Sequence, residues 1–305
     1  MIYLEPESVP EAVAALAGDE DARCLAGGQT LMAMMNADLV MPSTLVGLRR
    51  IAGLHEVTET EGMLRIGAMV THARLAGEER LEGARAVVTG SGGGGDDVSI
   101  SGRLEGARAV VRDAARQIAH PAVRNRGTIG GALCHADPQA DLPGALVAAG
   151  AHVEIAGADG VRTAPVDGFF VDYLESSLEP GEMLTAVLIP EGPQGAVGAH
   201  LKFSRTDGDY AIVSVSSVVA MQDGVCSYAR VVVGSAGPAP LHLDAADALL
   251  TGSGLDDAVL LQAGDLLAAA ADPVDDVRGS SDYRRLLLPA LLARAVGAAR
   301  ERFDG

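Results

Sequence analysis

The sequence predicts an α+β protein with two unlike parts. Up to about residue 190, helical and extended patterns alternate along the chain, which is typical of mixed layers. Beyond that point, residues 211–221 and 228–233 form two β-branched runs around Asp223-Gly224, a pair that favours a tight hairpin turn. Helical patterns over 256–270 and 283–299 come next. We therefore expect an antiparallel sheet followed by helices in the C-terminal part.

In the first part, apolar spacing distinguishes helices from strands. Apolar residues recur at helical spacing over 104–119, so a helix is predicted there that ends before Pro121. Residues 64–69 alternate as in a half-buried strand, and the extended segment 39–48 ends in a buried strand. The other predicted elements are an extended segment at 2–4, helices at 10–16 and 142–149, and a strand at 152–156.

Composition and charge exclude several classes of function. Of 305 residues, 48% are hydrophobic and 21% charged, as in an ordinary folded chain, while the 3% of aromatic residues leaves Ala, Val and Leu to fill the cores. The net charge of −18 argues against a nucleic-acid partner and an anionic membrane surface. We expect no integral membrane segment, no secretory signal and a cytoplasmic location, because long apolar runs and a basic N-terminus are lacking.

The three cysteines give no sign of a metal centre. Cys24, Cys134 and Cys226 are far apart in the sequence and include no CxxC pair. We therefore expect neither a zinc site nor an iron–sulfur cluster nor a disulfide in this chain.

A nine-residue segment, RLEGARAVV, occurs twice, at 80–88 and 103–111. The residues between the copies are rich in Gly, Ser and Asp, so we interpret 89–103 as a flexible insert. A local duplication without chemistry is the simpler explanation, and a flexible substrate lid is the alternative.

Two glycine-rich loops are the strongest candidates for a binding site. The first is Ala26-Gly27-Gly28-Gln29-Thr30 and the second is Thr128-Ile129-Gly130-Gly131. A single Gly-Gly pair more often marks a tight turn, but two such loops can hold a diphosphate with backbone N–H groups from two sides. A diphosphate held in this way would lie against the backbone and would require residues without side chains there. Neither loop has the Walker A or GxGxxG pattern, so a Rossmann fold is not supported.

Taken in order, the motifs resemble the FAD-binding medium subunit of the molybdenum hydroxylases, the group of carbon monoxide dehydrogenase and xanthine dehydrogenase. The resemblance spans nearly the whole chain. It rests on AGGQTL, RNRGTIGG, HADPQADLP, LEPGEMLTAVLIP, KFSRTDGDYAIVSV and DDVRGSSDYRRLLLPALLARAV. It implies a two-subdomain FAD-binding fold of the vanillyl-alcohol-oxidase (PCMH) type over 1–190, divided into 1–54 and 55–190. A smaller C-terminal domain over 195–302 is expected to close over the flavin.

The resemblance also implies which residues contact FAD. Asp141 matches an acid near the ribityl chain, Lys202 a lysine that reaches the cofactor, and Tyr210 an aromatic residue beside the isoalloxazine. Ala132 stands where the family often has Asn or Ser, so one polar contact is expected to be missing. The residues expected to contact the diphosphate are Ala26, Gly27, Gly28, Gln29, Thr30 and Leu31 in the first loop, and Thr128, Ile129, Gly130, Gly131 and Ala132 in the second.

By the same resemblance, this chain is an oxidoreductase subunit that transfers electrons through FAD. A molybdopterin-containing large subunit and a small subunit with two [2Fe–2S] clusters are the expected partners, assembled as a dimer of heterotrimers. The alternatives are a stand-alone FAD oxidase or dehydrogenase of a small organic substrate and a scaffold that has lost FAD. No nucleophile–base–acid set is recognisable in the sequence. We give His72, His120, His135 and Cys134 structural roles, although His72 could approach the flavin.

Overall fold

A computed structural model describes residues 1–78 and 106–304, with side chains described up to residue 297. The first RLEGARAVV copy, the predicted insert 89–103 and the start of the second copy lie outside the described residues. In the described part, the α+β prediction is confirmed. The domain and subdomain boundaries stay predictions.

The chain begins with a small parallel sheet. Its strand order is β1-β3-β2, and the first helix begins after Ser8, whose hydroxyl accepts the N–H of Glu11. The extended segment predicted over 39–48 ends in a buried strand as expected, at Thr44–Gly47. The elements are β1 (Ile2–Leu4), α1 (Val9–Ala17), β2 (Arg23–Leu25), α2 (Leu31–Asn36), β3 (Thr44–Gly47) and a 3₁₀ turn (Ala52–His55).

A five-stranded antiparallel sheet follows, in the order β4-β5-β10-β6-β7. The predicted helix at 104–119 is shorter in its described part: it covers Ala109–Gln117, and Ala119 has a positive φ of 42°. The strands are β4 (Val57–Thr60), β5 (Met63–Gly67), β6 (His152–Gly157), β7 (Gly160–Pro165) and β10 (Met183–Pro190), with β8 (Phe170–Asp172) and β9 (Glu175–Ser176) forming a separate hairpin. The helices are α3 (His72–Ala76), α4 (Ala109–Gln117), α5 (Pro121–Arg124), α6 (Ile129–His135) and α7 (Asp141–Ala148).

The C-terminal part has the predicted antiparallel sheet and helices. Asp223 and Gly224 have φ values of 52° and 78°, as the central pair of a type I′ hairpin requires. Gly264 of α9 and Pro289 of α10 lie so close that a Cβ on the glycine would be 2.4 Å from the proline Cα. The elements are β11 (Val197–Phe203), β12 (Val213–Gln222), β13 (Val225–Gly234), β14 (Leu241–His242), α8 (Asp244–Leu250), α9 (Asp257–Ala270) and α10 (Ser281–Asp304).

The C-terminal sheet is covered on both faces. Val218 and Val232 pack with Leu142 and Leu146 of α7, whereas Val215 and Val233 belong to the core shared with α8–α10. Helix α7 therefore packs against strands β12 and β13. Within the described residues, no helix combines the length and apolarity needed to cross a membrane.

Candidate cofactor site

A cavity of about 780 Å³ lies between the two predicted glycine loops, which is within the usual size range of ligand pockets. Ile129 is the exception among the loop residues, because its side chain is fully buried in the core of the five-stranded sheet. The loop residues that line the cavity are Ala26, Gly27, Gly28, Gln29, Thr30 and Leu31, together with Thr128, Gly130, Gly131 and Ala132.

At two of the four glycines, another backbone segment passes too close for any side chain. A Cβ on Gly27 would lie 1.9 Å from the carbonyl oxygen of Arg126, and one on Gly130 would lie 2.8 Å from the carbonyl oxygen of Ala68. No side chain fits at such separations without moving a backbone. Backbone packing is therefore a sufficient reason for glycine at Gly27 and Gly130, whether or not a diphosphate also lies against them.

The other two glycines have different reasons. Gly28 has a φ of +70°, a conformation that side-chain-bearing residues rarely adopt. A Cβ on Gly131 would lie 3.0 Å from the Thr128 hydroxyl and 3.7 Å from the Cβ of Ala26, both cavity-lining residues. Gly131 is thus the loop glycine whose missing side chain most directly leaves room in the cavity.

The two loops also differ in the N–H groups they offer. In the second loop, the N–H of Ile129 donates to Val70 and that of Gly130 to Ala68, at 3.0 and 2.9 Å. The N–H of Gly131 donates to the Thr128 hydroxyl at 3.1 Å. In the first loop, the N–H groups of residues 28–31 donate to no other group in the described part of the chain. An anionic ligand would therefore find its backbone donors mainly in the first loop.

A third wall of the cavity comes from residues 178–184, which include Gly181 at a φ of +84°. These residues belong to the motif LEPGEMLTAVLIP, of which no residue was predicted to lie at the site. Cys24 and Cys134 line the cavity too. Cys24 is half-buried, and burial raises the pKa of its thiol to about 12, so this thiol is neutral at physiological pH. His135 also faces the cavity.

Asp141 and Lys202 lie together outside this cavity, in a buried polar cluster. The Lys202 ammonium donates to Asp141 Oδ2 and to the carbonyl oxygen of Gln117, both at 2.8 Å. Asp141 Oδ1 lies 3.2 Å from His200 Nε2, and the other ring nitrogen of His200 lies 2.9 Å from the Ser216 hydroxyl. The cluster joins the start of α7 to strands β11 and β12. Both predicted cofactor residues therefore have protein partners that satisfy their charges.

Tyr210 lies beside this cluster and is 42% exposed. The guanidinium carbon of Arg278 lies 5.1 Å from the centre of its ring, a cation–π distance. Burial raises the pKa of Tyr210, as do the negative charges of Asp137 and Asp141, whereas Arg278 lowers it. The structure thus divides the predicted residues into a cavity group and a neighbouring group of Asp141, Lys202 and Tyr210.

His72 carries a feature that the sequence did not reveal. The N–H of His72 donates to the carbonyl oxygen of Gly127, and the ring lies against the same glycine, so the histidine supports the second loop from behind. Its Nδ1 atom is buried without a hydrogen-bond partner in the described residues. Burial lowers the pKa of His72 to about 4, although Asp141 acts in the opposite direction.

Comparison with known proteins decides the family. The FAD binding domain in molybdopterin dehydrogenase matches residues 1–192, and the CO dehydrogenase flavoprotein C-terminal domain matches 199–299. The chain belongs to this molybdopterin-dehydrogenase flavoprotein family.

Relatives along the whole chain agree with this family. The chain is 34% identical over 302 residues to the 6-hydroxypseudooxynicotine dehydrogenase complex subunit alpha of Paenarthrobacter nicotinovorans, covering 98% of this chain and 94% of that one. It is also 34% identical over 301 residues to the carbon monoxide dehydrogenase medium chain of Afipia carboxidovorans, covering 98% and 96%. Reconstituted CO dehydrogenase from Oligotropha carboxidovorans superposes with a TM-score of 0.89 at 33% identity, covering 99% and 98%.

The predicted cofactor and enzyme class are thereby confirmed: the chain is a FAD-binding oxidoreductase protein of this family. The cavity also fits FAD, because the first-loop N–H groups that find no acceptor in the described part of the chain can bind a diphosphate, and the volume suits a ligand of that kind. The predicted fold, with a smaller antiparallel C-terminal part, is confirmed as well.

Proposed function

We propose that this chain is the electron-transfer subunit of a molybdenum hydroxylase complex and that FAD lies between the two glycine loops. Bound FAD supplies the redox chemistry, since its ring can accept and release electrons. The observation that supports this location is the run of N–H groups at residues 28–31, which have no acceptor among the described residues and belong to the lining of the same cavity as Gly131.

Asp141, Lys202 and Tyr210 belong to the end of this site where the flavin ring would lie. The Lys202–Asp141 pair would fix the cluster electrostatically, and the Tyr210 ring, with Arg278 against it, would cover the flavin from solvent. Ile129 would act by packing behind the second loop rather than by contact, because its side chain is in the core.

We infer that two other subunits complete the enzyme. A large molybdopterin subunit would oxidise the substrate, and a small subunit would relay the electrons through [2Fe–2S] clusters to this chain, which passes them to an external acceptor. The relatives are named as a complex subunit and a medium chain, which supports such an assembly. The dimer of heterotrimers and the cytoplasmic location predicted from the sequence are parts of the same proposal.

The substrate would be selected by the large subunit. Relatives are named for carbon monoxide, 6-hydroxypseudooxynicotine and caffeine, so this kind of chain accompanies several substrate classes. We accordingly assign no substrate to the residues of this chain.

Affinity purification of the tagged chain from its source organism tests the proposal. We expect FAD absorbance together with molybdenum and iron, in fixed ratio to this chain. A metal-free yellow protein that oxidises a small organic substrate by itself would instead favour the stand-alone enzyme. A colourless protein would contradict the cofactor site.

A further inference from the structure

The hairpin formed by β8 and β9 ends in an exposed apolar tip. Asp172 pairs with Glu175, so Tyr173 and Leu174 are the two residues of the turn. Both are large apolar side chains, and Leu174 is 56% exposed and Tyr173 39% exposed. Tight hairpin turns usually carry Gly, Asn or Asp.

The backbone of Leu174 makes this choice of residue costly. Its φ is +57°, in the left-handed region that is unfavourable for a residue with a branched side chain. Folding gains little in return, because more than half of the side chain stays exposed. Backbone strain that packing does not explain is a sign of function at the strained position.

A third apolar side chain of the hairpin is exposed as well. Val171 of strand β8 is 57% exposed and lies two residues before Tyr173. We call Val171, Tyr173 and Leu174 the tip surface.

Acidic groups flank the tip surface. Asp172 and Glu175 lie on either side of the turn and are exposed. Asp272, which is almost fully exposed, also acts electrostatically on Tyr173, whereas Arg284, which acts with the opposite sign, is paired with Asp276. Negative charge therefore exceeds positive charge at the apolar turn. Such a surface fits a partner with an apolar recess rimmed by lysine and arginine.

We propose that the tip surface is where another protein subunit of the hydroxylase complex docks, with Leu174 inserted into an apolar recess that has a basic rim. This inference rests on the proposed function, since it requires that the chain has partner subunits. It explains why a leucine occupies a turn position where glycine would be free of strain.

Two substitutions at one position separate docking from folding. Leu174→Asp places a charge in the recess, and Leu174→Gly removes the side chain while relieving the positive φ. Val161→Asp is the control on a different strand, because Val161 is 67% exposed on the edge strand β7 and is not part of the tip surface. Each variant is purified by its tag from the source organism and measured for FAD, molybdenum and iron.

We expect both Leu174 variants to keep FAD but to lose the molybdenum and iron subunits by roughly tenfold or more, as for a central interface residue. Leu174→Gly should unfold at the same or a higher temperature than the wild type, and Val161→Asp should retain its partners. Wild-type partner content in Leu174→Asp would overturn the inference, and so would an equal loss in Val161→Asp. A homodimer of the isolated chain that Leu174→Asp breaks would assign the tip to a second copy instead. If the wild-type chain itself captures no metal-containing subunit, the proposed function is contradicted, and this inference is contradicted as well because it depends on that function.

Discussion

Substitution of Gly27 and Gly131 by alanine should separate folding from FAD binding. Both glycines line the same cavity, yet the added methyl group would meet different surroundings. On Gly27 it would lie 1.9 Å from the Arg126 carbonyl oxygen, whereas real Cβ contacts are essentially never shorter than 3.0 Å. On Gly131 the nearest atom is a side-chain hydroxyl at 3.0 Å, which can move by a few tenths of an ångström.

The cost of Gly27→Ala follows from this contact. The loops at Gly27 and Arg126 would have to separate by about 1 Å, and both are backbone segments, so we expect a loss of about 3 kcal/mol, at the upper end of overpacking effects. Gly131→Ala should change stability by less than about 1 kcal/mol. Alanine is favoured over glycine inside α6, and this gain offsets a weakened contact between the Thr128 hydroxyl and the N–H of residue 131.

Urea unfolding of both apoproteins and titration with FAD test this pair of variants. We expect Gly27→Ala to unfold at a clearly lower urea concentration with an unchanged slope. Gly131→Ala should unfold like the wild type but bind FAD roughly tenfold more weakly, because its methyl group enters the cavity. A wild-type midpoint for Gly27→Ala would refute the backbone crossing, and wild-type affinity for Gly131→Ala would refute the location of the cofactor.

Three further outcomes are expected. The pKa of His72 is about 4 in the folded chain against about 6.5 in the unfolded chain, so the unfolded state binds the proton first and the free energy of unfolding should fall by about 3 kcal/mol as the pH drops from 6.5 to 4. His72→Gln should flatten this pH dependence when urea titrations are compared at several pH values. Lys202→Met should lower the free energy of unfolding by about 3–5 kcal/mol, because it leaves the Asp141 carboxylate buried without its counter-ion. Adding Asp141→Asn should recover part of this loss, and an undiminished loss in the double variant would contradict the pairing. Deletion of 89–111 joins residue 88 to residue 112 and regenerates RLEGARAVVRDAAR, so we expect unchanged FAD content and a change in the free energy of unfolding within about 1 kcal/mol. Loss of FAD or of partner subunits would show that the duplicated segment has a role.

Local patterns in the sequence predict the long elements β12, β13, α9 and α10, but not strands β10 and β11 or helix α6. The Asp223-Gly224 hairpin was predictable because a turn with two positive φ values leaves few choices of residue. The helix at 104–119 was predicted too long in its described part, because tertiary contacts determine its limits. Arg108, just before the helix, donates to the carbonyl oxygens of Pro190 and Gly62, and both of these lie far away in sequence.

At the cofactor site, the sequence predicted which loops come together but not the contact that requires each glycine. The Gly-Gly pairs and the motif resemblance predicted the two loops that the cavity brings together, but not why each glycine is needed. A glycine that makes room for a ligand and a glycine that makes room for another loop cannot be told apart in the sequence. Only the distances from Gly27 to Arg126 and from Gly130 to Ala68 separate the two cases.

The sequence likewise gives no sign of the buried ion pair in the polar cluster. Asp141 and Lys202 are 61 positions apart, so no local pattern predicts that they form an ion pair. Because a buried charge without a partner is costly, their pairing also means that the start of α7 and strand β11 have to come together as the chain folds. Residues that the resemblance assigned to FAD thus have a second task, which is to hold the C-terminal sheet against the FAD-binding part. Variants at these two positions should therefore be judged first by stability and only then by flavin content.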